Sequence, residues 1–295
     1  MKEISDLLKE NDLRAYSYKT IGNVVIADTN DGKYAVKKNC NKDKIYNYLN
    51  SRNFFYYPEI IKKDKYILSR FIEDIEIPDE QRILDLIDLV SLLHAKTTHY
   101  KENTEDEYKK IFEDLSNNYE YLYEYYNDII NIIDERVFFR PSEYLISTNI
   151  SFIFSSLNNG RKLIDDWLKK IDGKNTMRKS IVHNNLKLSH FIRNDKDYLI
   201  SWDKSKIDIP IFDLYNLYNN HYSDFDFYEI FKRYEKNYPL KDEERELLFI
   251  LISMPSKLEF DSTEYNNCLK IMNEIERLNK SHYIIEKYNK KSSII

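Results

Sequence analysis

The chain has 295 residues, 42% hydrophobic and 32% charged, with 45 Lys and Arg against 50 Asp and Glu and a formal net charge of −5. This balance argues against intrinsic disorder and fits about two domains or one two-lobed unit at roughly 150 residues per domain. An acidic chain without a basic stripe is not expected to bind nucleic acid, and its longest apolar stretch, Leu247 to Met254, is far short of the ~20 residues that span a bilayer, so no membrane partner is expected.

The composition includes 26 Tyr and only 4 Gly. So few glycines disfavour a GxGxxG crossover, a Walker loop or the turn density of an all-β sandwich. Tyrosine supplies apolar area with a polar tip that can reach water. Cys40 and Cys268 make neither a disulfide framework nor a zinc spacing, and read as idle thiols of a reducing compartment. The opening MKEISDLLKENDL has no apolar h-region, so no secretory signal and a cytoplasmic location are expected.

Residues 16–71 read as β-rich. Short β-branched runs lie at Tyr18 to Gly22 and Val24 to Ala27, followed by a turn at Asn30-Asp31-Gly32 and a third strand from Lys33 to Lys37. Residues 42–52 suit a short helix with Ile45, Tyr48 and Leu49 on one face. Pro58 to Ile61 and Tyr66 to Phe71 bracket a hairpin turn at Lys62-Lys63-Asp64. The expected N-terminal unit, 1–75, is a five-stranded sheet with one helix.

From Asp79, read as an N-cap, the period changes from 2 to 3.6. Ile83, Leu86, Ile87, Val90 and Leu93 form one apolar stripe. Thr104 with Glu107 fits a capping box at the head of a helix whose stripe runs from Tyr108 to Ile133 as core. Ser142 to Ile171 is helical, with a break expected at Asn158-Asn159-Gly160 and Gly173 as the C′ residue. Strand patterning returns over 180–203, with a turn at Asn194 to Asp197. Residues 211–285 are helical again, interrupted at Pro239 and Pro255, and the tail from Lys287 to Ser293 is expected to fray.

A small β-rich lobe ending in Ala35-Val36-Lys37, then helices around a central hairpin, suggests a bilobal α+β protein-kinase-like fold. Its small N-lobe would be 1–75 and its larger, mostly helical C-lobe 76–295. The stretch His183-Asn184-Asn185-Leu186-Lys187-Leu188-Ser189-His190, then Ile200-Ser201-Trp202-Asp203, then Asp208-Ile-Pro-Ile-Phe-Asp213-Leu sharpens this. It resembles the aminoglycoside phosphotransferase and choline kinase-like family, whose pattern is H-G-D-L-x-x-x-N-x-L, I-D-W-[DE] and D-x-P-x-x-D-L. Leu89-Val-Ser-Leu-Leu-His94-Ala-Lys-Thr97 resembles the same family's helix ending in L-x-x-L-H, and its LH-x-K-T is shared with the spore-coat kinase-like branch of Firmicutes.

The resemblance implies roles for single residues. Lys37 matches the lysine that holds nucleotide phosphates, Gly22 is the only glycine of the phosphate-covering hairpin, and His183 matches the brace of the catalytic loop. His94, Trp202, Asp208 and Asp213 match positions that build the fold. Asn185 falls on the catalytic Asp, His190 on a magnesium-binding Asn, and Ser201 on a magnesium-binding Asp. An amide cannot take a proton, and Mg²⁺ wants hard oxygen ligands that an imidazole does not supply. No Glu stands in 42–52 to pair with Lys37; Asp43 there is short. Asp203, two residues after Ser201, would share its face of a strand and could offer an oxygen.

These substitutions lead to an expectation of a catalytically inactive kinase-fold protein, a pseudokinase acting through a protein partner as a spore-coat-type assembly or regulatory component. No cofactor is then required. The alternative is a working phosphotransferase on a small hydroxylated or amine-bearing substrate, with ATP and Mg²⁺ as cofactors and Asp203 as the rescuing carboxylate.

Overall fold

Alternation of apolar residues between Ala15 and Arg70 yields one antiparallel sheet. Its strands are β1 (Ala15–Ile21), β2 (Val24–Thr29), β3 (Gly32–Lys38), β4 (Ile60–Lys63) and β5 (Tyr66–Arg70), in spatial order β1-β2-β3-β5-β4. The computed structural model describes residues 1–38, 40–63 and 65–292, so Asp64 of the expected Lys62-Lys63-Asp64 turn and Ser293 of the tail lie outside the described residues. The Asn30-Asp31-Gly32 turn forms as expected: Thr29 pairs with Gly32, which takes φ +100, and the Thr29 hydroxyl donates to Gly32 O at 2.7 Å.

The two faces of the sheet differ. Ala27, Tyr34, Val36 and Leu68 point to one side and are buried against Ile4, Leu7, Leu8 and Leu13. The first three of these sit on helix α1 (Lys2–Glu10), to which the sequence reading assigns no helix. Their i, i+3, i+4 spacing is the signal that marks it. The opposite face carries Val24, Ile26, Ala35, Lys37, Ile67 and Ser69. Strand period alone therefore puts Lys37 on the face away from α1.

Helix α2 (Asp43–Ser51) buries Ile45 and Leu49, and α3 (Asp79–Thr97) buries all five residues of its expected stripe. Asp79 sits in the first turn of α3 and not at the cap, since Pro78 O accepts from Gln81 N and Arg82 N.

The chain divides into two compact units, Met1–Thr97 with Ile181–Ile207, and Thr98–Ser180 with Asp208–Ile295. Segment 181–207 carries the hairpin β8 (Phe191–Arg193) and β9 (Asp197–Leu199). It is stitched to the first stretch by Leu199 N to Tyr56 O and Ile75 N to Arg193 O, both 2.8 Å, and by Arg82 Nη1 to Phe191 O at 3.0 Å.

In the second unit, β6 (His99–Glu102) pairs antiparallel with the first four residues of β7 (Thr176–Val182). The helices are α4 (Glu105–Asp134), α5 (Pro141–Ile171), α6 (Ile211–His221), α7 (Phe227–Asn237), α8 (Asp242–Ser253) and α9 (Glu264–Ser292). The expected capping box does not form: the buried Thr104 hydroxyl finds no hydrogen-bond partner among the described residues, and Glu107 is drawn to Lys101 and Lys179 instead. Helix α5 also runs unbroken through Asn158-Asn159-Gly160. There the buried Met254 packs so close that a Cβ on Gly160 would meet its sulfur at 2.3 Å. Glycine at that position serves contact between elements, not a helix stop. The expected breaks at Pro239 and Pro255 occur, but another lies between α6 and α7, and α9 continues helically to Ser292 where fraying was expected.

Tyrosine fills the core of this unit as its amphipathic chemistry suggests. Tyr126, Tyr218 and Tyr234 are fully buried; the hydroxyls of Tyr126 and Tyr218 donate to Ser256 O at 2.6 Å and Arg277 O at 2.5 Å. Among the described residues no helix is long and apolar enough to cross a membrane.

Candidate functional site

The face of the sheet bearing Lys37 lines a cleft of about 520 Å³ within the first unit. Its other wall comes from residues 185–203, and Tyr46 and Tyr57 close one side. Tyr57 lies edge-on to Tyr46 at 5.1 Å and to Trp202 at 6.3 Å. Burial, with the nearby Asp203 charge adding to it, pushes the Tyr46 phenol well above its ordinary pKa. Neither tyrosine is singled out by the sequence motifs; the available signal is only that Tyr46 flanks the buried Ile45 on α2.

Trp202 anchors the far wall. It is buried, its Nε1–H donates to Leu199 O at 2.8 Å, and its ring meets that of His183 edge-on at 5.0 Å. His183 is fully buried and its Nε2–H donates to Ile200 O at 2.8 Å, so it ties the start of the 183–190 loop to the end of the hairpin.

Strand β9 ends at Leu199, short of the strand that the sequence reading carries through Trp202. Ser201 takes φ 66 and ψ 46, and Trp202 to Lys204 form a 3-10 turn. The left-handed residue turns the chain so that the indole enters the core. Ser201 and Asp203 consequently do not share a strand face, which corrects the expected geometry. The family's H-G-D glycine position is also filled without a glycine: Asn184 adopts φ 57, a conformation that Asn tolerates better than most residues.

Lys37 and Asp203 form an ion pair across the cleft, with side chains 23% and 34% exposed. The partner of the strand lysine therefore comes from 166 positions away and not from α2. Asp203 is the single carboxylate among the described residues that line the cleft. Asn185, His190 and Ser201 line it as well. The His190 Nδ1–H donates to Asn185 O at 2.6 Å, which fixes the tautomer with the lone pair on Nε2.

Burial is the largest influence on His190; it lowers the pKa, against the hydrogen bond to Asn185, with Lys187 and Lys37 lowering it further. A histidine whose folded-state pKa lies below its unfolded value near 6.5 binds fewer protons folded than unfolded in that window, so stability is present above it and declines as pH falls. We expect the His190 ring to titrate below pH 6.5 in NMR, and His190→Asn to flatten the acid side of the stability profile. A ring titrating at or above 6.5 would contradict this.

The remaining predicted residues lie elsewhere. Gly22, with φ 55, forms the β1–β2 turn, while its neighbours Ile21 and Asn23 reach the cleft. His94 is fully buried near the end of α3. Asp208 and Asp213 belong to the second unit. There Asp208 accepts from Ile209 N at 2.9 Å, and Asp213 is buried in the first turn of α6. Among the described residues, no cluster of three or more His, Cys, Asp or Glu side chains is arranged to hold a metal.

No family model matches the sequence, and no curated protein matches it. Solved structures do. An aminoglycoside phosphotransferase from Alicyclobacillus acidocaldarius superposes with a TM-score of 0.74 at 9% identity, over 95% of this chain and 93% of that one. The fold is kinase-like. The AMP complex of the spectinomycin phosphotransferase APH(9)-Ia gives 0.54 at 14% identity, over 98% and 94% of the two chains. The choline kinase LicA from Streptococcus pneumoniae gives 0.50 at 14% identity, over 97% and 99%. At these identities the likeness is one of fold: a mixed α+β chain with a five-stranded sheet and a larger helical part, as the motifs implied.

Proposed function

We propose that this kinase-fold chain acts by binding and does not carry out magnesium-dependent phosphoryl transfer. One observation carries the reading: Asp203, the single carboxylate among the described residues that line the cleft, is engaged by Lys37, while the positions matched to the proton acceptor and to both metal ligands are Asn185, His190 and Ser201. The fit to a magnesium nucleotide is poor on donor chemistry. An amide, a hydroxyl and an imidazole whose Nδ1 is already bonded to Asn185 O do not make the set of charged oxygens that Mg²⁺ prefers. Loss of the general base alone costs on the order of 10²–10⁴-fold in rate.

On this reading the fold is kept for a protein partner, as in a spore-coat-type assembly or a regulatory complex, and any nucleotide is bound without metal. The presence of Asp203 in the cleft favours a second reading, an active phosphotransferase that uses this carboxylate. Assay of the purified chain with Mg·ATP and small hydroxylated or amine-bearing acceptors separates the two. The expected result is product at background, unchanged in Lys37→Ala. Turnover that disappears in Lys37→Ala would overturn the proposal.

A further inference from the structure

The exchange of metal-ligand positions leaves one reactive group in the cleft without a task. The His190 ring lines the cleft, is only partly buried, and is held at one nitrogen. Its Nδ1–H donates to Asn185 O at 2.6 Å, and among the described residues nothing is bonded to Nε2. An imidazole anchored through one nitrogen and open at the other presents a fixed lone pair, which is what a histidine nucleophile requires.

Two ammonium groups act on this ring. Lys187, whose carbonyl accepts from His190 N at 3.0 Å, is exposed and makes no ion pair among the described residues. Lys37 gives one of its three N–H donors to Asp203, which leaves others for a ligand. Burial first, and then the charges of Lys187 and Lys37, favour the neutral imidazole, the nucleophilic form, near pH 7. Asp203 opposes an incoming anion, but its charge is matched by Lys37.

A neutral nucleophile with cations close by suits an anionic electrophile. The donor chemistry of the cleft does not offer the metal that the polyphosphate of ATP needs for shielding. A compact dianion with a leaving group that departs without acid assistance fits better, and a small acyl phosphate has both properties. We propose that His190 Nε2 is a phosphoryl acceptor, which takes the phosphoryl group of a small acyl phosphate and forms a phosphoramidate in the cleft without a metal.

In this step the Nε2 lone pair forms the bond to phosphorus. The bond from phosphorus to the acyl oxygen breaks, and the carboxylate leaves with its electron pair. The proton on Nδ1 stays in its hydrogen bond to Asn185 O, so the product is an imidazolium bearing a phosphoryl dianion, and total charge is conserved. Lys187 and the remaining N–H groups of Lys37 stabilise the phosphoryl oxygens. The proposal goes beyond the binding reading and is tested separately from it, because magnesium is withheld.

The experiment incubates the full chain with ³²P-labelled acetyl phosphate in EDTA and maps the product by mass spectrometry in alkali. We expect label on His190 alone among the six histidines, stable in alkali and lost in acid, and formed faster than on N-acetylhistidine. His190→Asn should abolish it. Lys187→Gln, at an exposed position, should slow it about tenfold, the order expected for one nearby charge on a forming dianion. Circular dichroism checks that both variants fold; if His190→Asn does not, the mapped site and Lys187→Gln still decide. Label spread over several histidines, label that survives in folded His190→Asn, or a rate no greater than that of N-acetylhistidine would overturn the proposal. So would label that forms only when Mg²⁺ replaces EDTA.

Discussion

Arg277→Met should lower the unfolding free energy by roughly 3–5 kcal/mol, the range for stranding one partner of a buried charge pair. Arg277 and Glu274 are 6% and 8% exposed. The guanidinium donates to Glu274 through Nε at 2.9 Å and Nη2 at 2.7 Å. It also donates to Ile252 O at 2.8 Å and Met254 O at 2.7 Å, two carbonyls left over where α8 ends. Its own carbonyl accepts the Tyr218 hydroxyl. One side chain therefore joins α8, α9 and the 254–256 turn.

Methionine keeps much of the volume but leaves the Glu274 carboxyl with Ser256 N as its remaining hydrogen-bond donor among the described residues, and removes the guanidinium donors from both carbonyls. The double variant Arg277→Met with Glu274→Leu removes the stranded carboxylate and should recover part of the loss. Urea unfolding of the three chains measures this. A loss below about 1 kcal/mol for Arg277→Met, or a double variant less stable than the single one, would show that the network is not as described.

The second large effect is expected as a gain. Asn185→Asp, His190→Asn and Ser201→Asp together replace an amide, an imidazole and an alcohol in the cleft by a carboxylate, an amide oxygen and a second carboxylate. If the donor set is what the wild-type chain lacks, the triple variant should bind ATP at least about tenfold more tightly with Mg²⁺ than without, a difference of ~1.4 kcal/mol. The backbone permits the change, since Ser201 already holds φ 66, a conformation that Asp adopts more readily than most residues. Asn185→Asp alone should not confer the dependence, because it restores neither metal ligand. Calorimetry that finds no magnesium dependence in the triple variant would place the defect elsewhere in the cleft.

The parts of the fold legible in the sequence were those with a local physical signal. Alternation marks β2 and β3, and the same period assigns Lys37 to a definite face. The 3.6 repeat marks α3, whose five stripe residues are all buried. The motif spacing carried the kinase-like fold through identities of 9% to 14% with its structural neighbours.

What stayed hidden is non-local. Nothing near Lys37 in sequence names Asp203 as its partner, and nothing near Gly160 announces the Met254 sulfur that makes glycine necessary within α5. The low glycine count invites the inference that left-handed turns are lost. Instead Asp12, Asn41, Asn53, Asn103 and Asn184 adopt positive φ, and their short polar side chains make that conformation tolerable. Ser201 breaks the strand pattern for a different reason: burial of the Trp202 indole outweighs the local preference to continue β9.

On the proposed reading, this cleft lacks the donors to bind a nucleotide through a divalent ion. Thermal unfolding of the wild-type chain with millimolar ATP, once with Mg²⁺ and once with EDTA, tests it most directly, because a ligand bound to the folded state must raise the midpoint. We expect the same midpoint in both, whether or not ATP raises it. A rise that appears with Mg²⁺ and vanishes with EDTA would contradict it.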